Sequence, residues 1–304
     1  MPLFRRFEIP WEKMPAAQGL EGTRRDPAGS LRLRWLGTAG YELTVGKTTL
    51  LLDPFVSRPG LLRLLSGRAL YSDLSEGRRY YPKADYVLTG HSHYDHLLDV
   101  PEIALRTGAA VAGSQSTCAL AKARGVPEAR VREVPASGAK LKLGDFEVRF
   151  VPSLHGRFLL GREPLPGEIT HCDHGGHLSA RGYRVGGTFG IWMKAGDLTV
   201  YHNGSADLID AELEGLRADV LILGLAGRFA TRDYVERLCR LLRPRWIVPT
   251  HYDAFFEPLS KGLSLLPGID LRGFFRQAAR FAPGAPVVMP PYEDVAAFPL
   301  GGFR

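Results

Sequence analysis

The stretch Thr89-Gly90-His91-Ser92-His93-Tyr94-Asp95-His96 constrains this chain more than any other. It follows Tyr86-Val87-Leu88, which reads as a short buried strand, so the histidines sit on the turn where that strand ends. Three imidazoles and a carboxylate within six residues can hardly face one way on a regular element. A tight loop can aim them at a common centre, which is how a metal site is built. A solvated His-rich loop is the plainer reading, but one third of the chain's nine histidines are gathered here beside an Asp.

With 304 residues the chain has length for one large domain or two ordinary ones. No apolar run approaches the ~20 residues of a membrane span. Met1 to Arg6 lacks the apolar centre of a signal peptide, and the expected location is the cytoplasm. Cys118, Cys172 and Cys239 are odd in number and widely spaced, which argues against a disulfide framework or a Cys-based zinc site. A formal charge of +7 suits an anionic small-molecule substrate or an anionic surface. Arg is scattered along the chain instead of massed in blocks, so nucleic acid is not indicated.

Residues 1–30 read as an extended arm rich in Pro, Gly and Arg. From Leu31 a β-meander is expected: 31–35, 41–45 and 48–52, ending in Asp53-Pro54. Residues 55–82 form an insertion with Leu61, Leu62, Leu64 and Leu65 on a single helical turn. A packed excursion over the sheet edge, a lid and a weak membrane-surface contact are its three readings. Helices are expected at 101–107 and 116–124, strands at 109–112 and 131–134, and a hairpin at 139–143 and 146–151 that delivers His155. Residues 157–187 form a second, irregular insertion. It carries His171, His174 and His177, and Gly175-Gly176 disfavours a helix there. A substrate-contacting loop, an extra metal site and a polar excursion are all compatible with it. A further hairpin, 188–194 and 198–202, leads to Asn203-Gly204-Ser205-Ala206-Asp207. Strands at 220–225 and 246–249 then alternate with helices at 209–217 and 231–242. The second strand ends in Thr250-His251-Tyr252-Asp253, and the tail adds a helix at 271–281 and a strand at 286–289. The shared plan of the two halves, hairpins followed by strand and helix pairs, points to one sandwich.

Imidazole and carboxylate donors without thiolate fit a catalytic metal site better than a structural one, with zinc foremost and manganese or iron as alternatives. Such an ion lowers the pKa of a bound water to ~7, so no Ser or Cys nucleophile is needed. There is neither a Gly-x-Ser-x-Gly elbow nor a strand followed by Gly-x-Gly-x-x-Gly, so acyl-enzyme and dinucleotide mechanisms have no support.

His91-Ser-His93-Tyr-Asp95-His96 matches the His-x-His-x-Asp-His signature of the metallo-β-lactamase fold hydrolases without a gap. With Trp35 to Gly40, Leu51 to Pro54, His155 and Pro249 to Tyr252, the chain resembles the branch holding the ascorbate-6-phosphate lactonase and the N-acyl-phosphatidylethanolamine phospholipase. The resemblance covers about residues 31–256. It implies an α/β fold, a four-layer αββα sandwich over residues 31–304, with the site at one edge between the sheets. It also implies one or two divalent ions, His91, His93 and His155 around one and Asp95, His96 and His251 around the other. Asp95 and His251 are the implied catalytic residues. Where the family has a bridging Asp, this chain has Ser205, with Asp207 and His202 nearby as substitutes. Ser205 and the three histidines of the second insertion are the candidate substrate contacts. The expected activity is cleavage of an ester, lactone or phosphoester. A metal-dependent nuclease, or a non-catalytic protein that kept the fold, is the alternative.

Overall fold

The computed structural model describes residues 29–157, 161–170 and 172–301, so the expected arm lies almost wholly outside the described residues. The chain opens with the antiparallel meander β1 (Ser30–Trp35), β2 (Tyr41–Val45) and β3 (Thr48–Leu52). The segment that follows carries α1 (Leu61–Leu65) and α2 (Leu74–Tyr80). Next come β4 (Tyr86–Leu88), α3 (Tyr94–Leu97), α4 (Val100–Thr107), β5 (Ala110–Gly113), α5 (Gln115–Ala123) and β6 (Val131–Glu133). β4, β5 and β6 extend the first sheet in parallel from β3, the outcome expected where helices serve as crossovers.

The second sheet begins with the hairpin β7 (Ala139–Leu143) and β8 (Phe146–Pro152). After α6 (Asp173–Gly176) come β9 (Phe189–Ala195), β10 (Leu198–Asn203), α7 (Asp210–Leu213), β11 (Val220–Gly224), α8 (Tyr234–Leu242) and β12 (Trp246–Thr250). α9 (Leu271–Phe281) packs on α8, and β13 (Val295–Pro299) returns to the first sheet beside β1. The strand orders are β13-β1-β2-β3-β4-β5-β6 and β12-β11-β10-β9-β8-β7.

β3 shows how the layers arise. All five of its residues are buried, and the two-residue period sends Leu50 and Leu52 into the core between the sheets while Leu51 enters a second core under α4 and α5. Val148, Phe150, Ile191, Met193 and Ile222 meet Leu31, Leu33 and Leu43 from the opposite sheet. Leu238, Leu242 and Phe274 of α8 and α9 cover the far side of the second sheet. The result is helix, sheet, sheet, helix: the αββα sandwich of the metallo-β-lactamase fold. No helix among the described residues is long and apolar enough to cross a membrane.

The structure departs from the sequence expectations in several places. The strand expected at 286–289 is only an isolated bridge from Val287 to Ile247, because Pro286, Pro290 and Pro291 lack the amide hydrogens a ladder needs. The tail's strand is β13 instead. The helix expected at 209–217 is confined to α7, since Gly215 turns the chain out at φ 77°. That at 231–242 starts only at Tyr234, because Asp233 is left-handed and the Thr231 hydroxyl donates to the carbonyl of Ala206 instead of capping. Gly175 and Gly176 disfavour a helix, yet Asp173–Gly176 makes one short turn. The 55–82 insertion is a packed excursion only in part: Phe55, Val56, Leu70, Tyr80 and Tyr81 are buried, while α1 buries no residue and Leu62 is 87% exposed. The carboxylate of Asp99, just before α4, anchors the insertion by accepting from the amides of Val56 and Ser57 and the hydroxyls of Ser57 and Ser72.

Candidate metal centre

Three strand ends deliver the site. β4 ends before the His loop, β8 before His155, and β12 before His251. The His loop is tied to its surroundings through the main chain: Thr89 N donates to Ala112 O, Phe189 N to Gly90 O, and Ser92 N to Val185 O. Gly90 suits the close approach here, because a Cβ would stand a tight 3.1 Å from the carbonyl oxygen of Phe189 and 3.3 Å from Asp53 Oδ2. His93 is the extended residue just before α3, whose first turn then carries Asp95 and His96 inward.

The side chains converge in two groups, His91 with His93 and His155, and Asp95 with His96 and His251, whose donor atoms within each group lie within 4.8 Å of one another. The rings of His91, His93 and His155 form a triangle with centroids 4.7 to 4.8 Å apart. The two groups adjoin, since the His91 and His96 ring centroids are 3.8 Å apart. In the second group His251 Nε2 is 3.2 Å from Asp95 Oδ2. Every member is buried except His155, which is intermediate.

The hydrogen bonds select the free nitrogens. His93 Nε2 is occupied by the carbonyl of Pro164 at 3.0 Å, and His155 Nδ1 by that of Gly156 at 2.8 Å, leaving Nδ1 of the first and Nε2 of the second available. Both nitrogens of His91, Nε2 of His96 and Nδ1 of His251 are buried without a hydrogen-bond partner. Unpaired buried polar atoms are costly, and an ion in either group would take one nitrogen from each of its histidines. The donor set of imidazoles and one carboxylate therefore fits a divalent ion.

The electrostatics agree. Burial drives the imidazole of His91 well below its usual pKa, that of His93 down to about 4 and that of His155 down to about 3, so all three stand neutral at pH 7, the form that ligates. Burial pushes the Asp95 carboxyl up, but His96, His251 and His93 outweigh it and hold it well below the carboxylate range. Burial likewise opposes the charged form of His96, and Asp53 more than compensates, raising its pKa.

Asp53 belongs to the site although it lies outside the His-x-His-x-Asp-His stretch. It stands in the left-handed region directly after β3, accepts the Gly90 amide at 2.7 Å, and places Oδ2 3.0 Å from His96 Nδ1 and 3.9 Å from His202 Nδ1. A charged residue directly after the apolar run Leu50-Leu51-Leu52 is the signal that could have found it.

The remaining candidates fall elsewhere. His202 joins neither group: it bonds the carbonyl of Ala39 at 3.1 Å and flanks Asp53. Asp207 is also outside both, with Oδ1 accepting from the Leu208 amide and its pKa raised by burial; it caps no helix, since α7 has Ile209 at that place. Ser205 spends its hydroxyl on Leu154 O at 3.0 Å and Asn203 Oδ1 at 3.1 Å, while its own carbonyl accepts the Gly156 amide, so it pins the loop that carries His155. His177 is engaged by Arg124 and stacks near Tyr71, with centroids 4.3 Å apart. His171 and the side chain of His174 lie outside the described residues.

Residues 32–251 match the family model of the beta-lactamase superfamily domain, and the chain belongs to that family. Among its relatives are proteins named UPF0173 metal-dependent hydrolase. The one from Pyrobaculum arsenaticum is 29% identical over 231 residues, 74% of this chain and 85% of the relative. The one from Anaeromyxobacter sp. strain K is 28% identical over 236 residues, 75% of this chain and 76% of the relative. In fold the chain is similar to Igni18, a metallo hydrolase of Ignicoccus hospitalis, with a TM-score of 0.59 at 18% identity over 90% of this chain and all of that one. It is also similar in fold to an isothiocyanate hydrolase from Delia radicum gut bacteria, with a TM-score of 0.57 at 14% identity over 88% and 99% of the two chains.

The depressed imidazoles carry a pH prediction for the metal-free protein. His93, His155 and His202, the last at about 4, stay neutral in the fold but take a proton when unfolded at about pH 6.5. Their contribution is complete above pH 6.5 and is lost as pH falls toward 4. His96, raised beside Asp53, acts in the opposite sense and offsets part of it. Urea unfolding of chelator-treated protein at pH 7.5, 6 and 5 should show stability declining through that series, and a constant midpoint would contradict the assignment.

Proposed function

We propose that the protein is a metal-dependent hydrolase that cleaves an ester, lactone or phosphoester in a small, anionic substrate. The observation that carries this reading is the buried set of imidazole nitrogens without partners beside an ionised Asp95. His91, His93 and His155 would hold one divalent ion, zinc foremost, and Asp95, His96 and His251 would hold another. A bound ion there supplies a water of lowered pKa and a Lewis-acid contact for the scissile group. His91, His93 and His155 offer three neutral donors, the number that leaves a fourth position open. Asp95, held ionised with Oδ2 3.2 Å from His251 Nε2, would keep a carboxylate oxygen available to accept a proton from the attacking water. The names of the relatives support the reaction class. The formal net charge of +7 supports an anionic substrate.

The direct test is a panel of phosphodiesters, lactones and carboxylic esters. Asp95→Asn should lower kcat about 10²- to 10⁴-fold on whichever substrate is turned over, with KM changed little. An unchanged kcat with metal content intact would remove Asp95 from the chemistry.

We also infer that the two ions are held unequally. Asp95 is the sole carboxylate in the second group, and the hydroxyl of Ser205 is already spent on Leu154 and Asn203. A missing anionic ligand costs about a few kcal/mol, and each ~1.4 kcal/mol is tenfold in affinity. Metal titration of chelator-treated protein should show one tight and one weak site, and Ser205→Asp should tighten the weak one. Two tight, equal sites in the unmodified protein would contradict this.

A further inference from the structure

Arg58, Asp253 and Tyr292 come from three distant parts of the chain and meet beside the site. The Arg58 and Asp253 side chains form an ion pair, Nη2 to Oδ2 2.5 Å, that is 1% and 0% exposed. The same carboxylate accepts the Tyr292 hydroxyl at 2.7 Å and, through Oδ1, the Thr38 amide at 2.8 Å. Gly37 leaves the room for this, because a Cβ there would stand 1.6 Å from Arg58 Nη2.

Thr38 is held from its other end by the residue that matters. Its carbonyl accepts the His251 amide at 2.8 Å and the Thr250 hydroxyl at 2.5 Å. His251 is left-handed at φ 53°, and so is Thr38 at φ 51°. A non-glycine residue persists in that region only where its surroundings over-determine it. A buried ion pair is a poor device for stability, since a well-packed apolar pair of similar volume commonly does as well. What an apolar pair cannot supply is a charged acceptor aimed at the Thr38 amide, which holds Thr38 in its left-handed conformation while its carbonyl, also bonded by Trp35 Nε1 at 3.1 Å, meets the His251 amide.

We propose that Arg58, Asp253 and Tyr292 are positioning residues that fix the imidazole of His251 toward Asp95 through the main chain of Thr38, whose amide Asp253 holds and whose carbonyl receives the His251 amide. The first insertion and the C-terminal tail thereby become part of the site without touching it. The inference rests on the proposed function only for what His251 does once placed; the placement itself is open to measurement without activity.

The test is NMR of the imidazole nitrogens in the full-length protein as purified, labelled with ¹⁵N-histidine. His251 is assigned from His251→Gln, and Tyr292→Phe and Arg58→Lys are then compared. In both variants the His251 ring signals should shift and broaden while those of His91, His93 and His155 stay in place. Unmoved His251 signals would overturn the proposal. So would a uniform shift of every imidazole together with a lowered Tm, which marks a general loosening of the fold. If Arg58→Lys does not fold, Tyr292→Phe, which deletes one hydroxyl, decides alone.

Discussion

The carboxylate of Asp53 ties together the parts of the protein that have to agree for a site to exist. It closes β3, a strand buried on both faces, and it receives the amide of Gly90 at the start of the His loop. It also stands against His96 and His202, so one buried charge orients a member of the second donor group and a residue of the opposite sheet. A carboxylate is tolerable there because the Gly90 amide donates to Oδ1 and His96 Nδ1 stands 3.0 Å from Oδ2. The dependence runs both ways: neutralising Asp53 would take from His96 the larger of the two carboxylate charges, Asp53 and Asp95, that raise its pKa.

Around that point the fold supplies convergence. The two sheets meet face to face over an apolar core, which brings the ends of β4, β8 and β12 to one edge. No single element carries the site. Each strand end contributes one or more side chains, and the main-chain bonds from Phe189, Val185 and Ala112 fix the His loop before any ligand is considered. Burial then suppresses the protonated imidazoles, and a pocket of neutral donors beside an ionised carboxylate remains. A cation is what completes that combination.

Much of this was legible in the sequence because its signals were local and strong. The His loop after Tyr86-Val87-Leu88, the two-residue alternation in β1 and the turn at Gly144-Asp145 each fix a local structure whatever the rest of the chain does. What was not legible depended on distant partners. β13 pairs with β1 across almost the whole chain, and nothing in Val295–Pro299 announces that neighbour. Asp233 leaves the helical region before α8, and the Thr231 hydroxyl that should have capped the helix bonds Ala206 instead. Asp53 and Ser205 show the same limit at the site, since the role of each is set by side chains and carbonyls far away in sequence.

The central claim is that the His91 group is a metal site, and elemental analysis of the full-length protein tests it most directly. Unmodified protein grown with zinc, iron and manganese available should carry at least about one equivalent of divalent metal per chain, the occupancy a three-ligand site at neutral pH gives. His91→Ala, which removes the imidazole with two unpartnered nitrogens, should lose it while keeping its fold by circular dichroism. A folded His91→Ala variant with full metal content, or an unmodified protein that takes up none, would contradict the account.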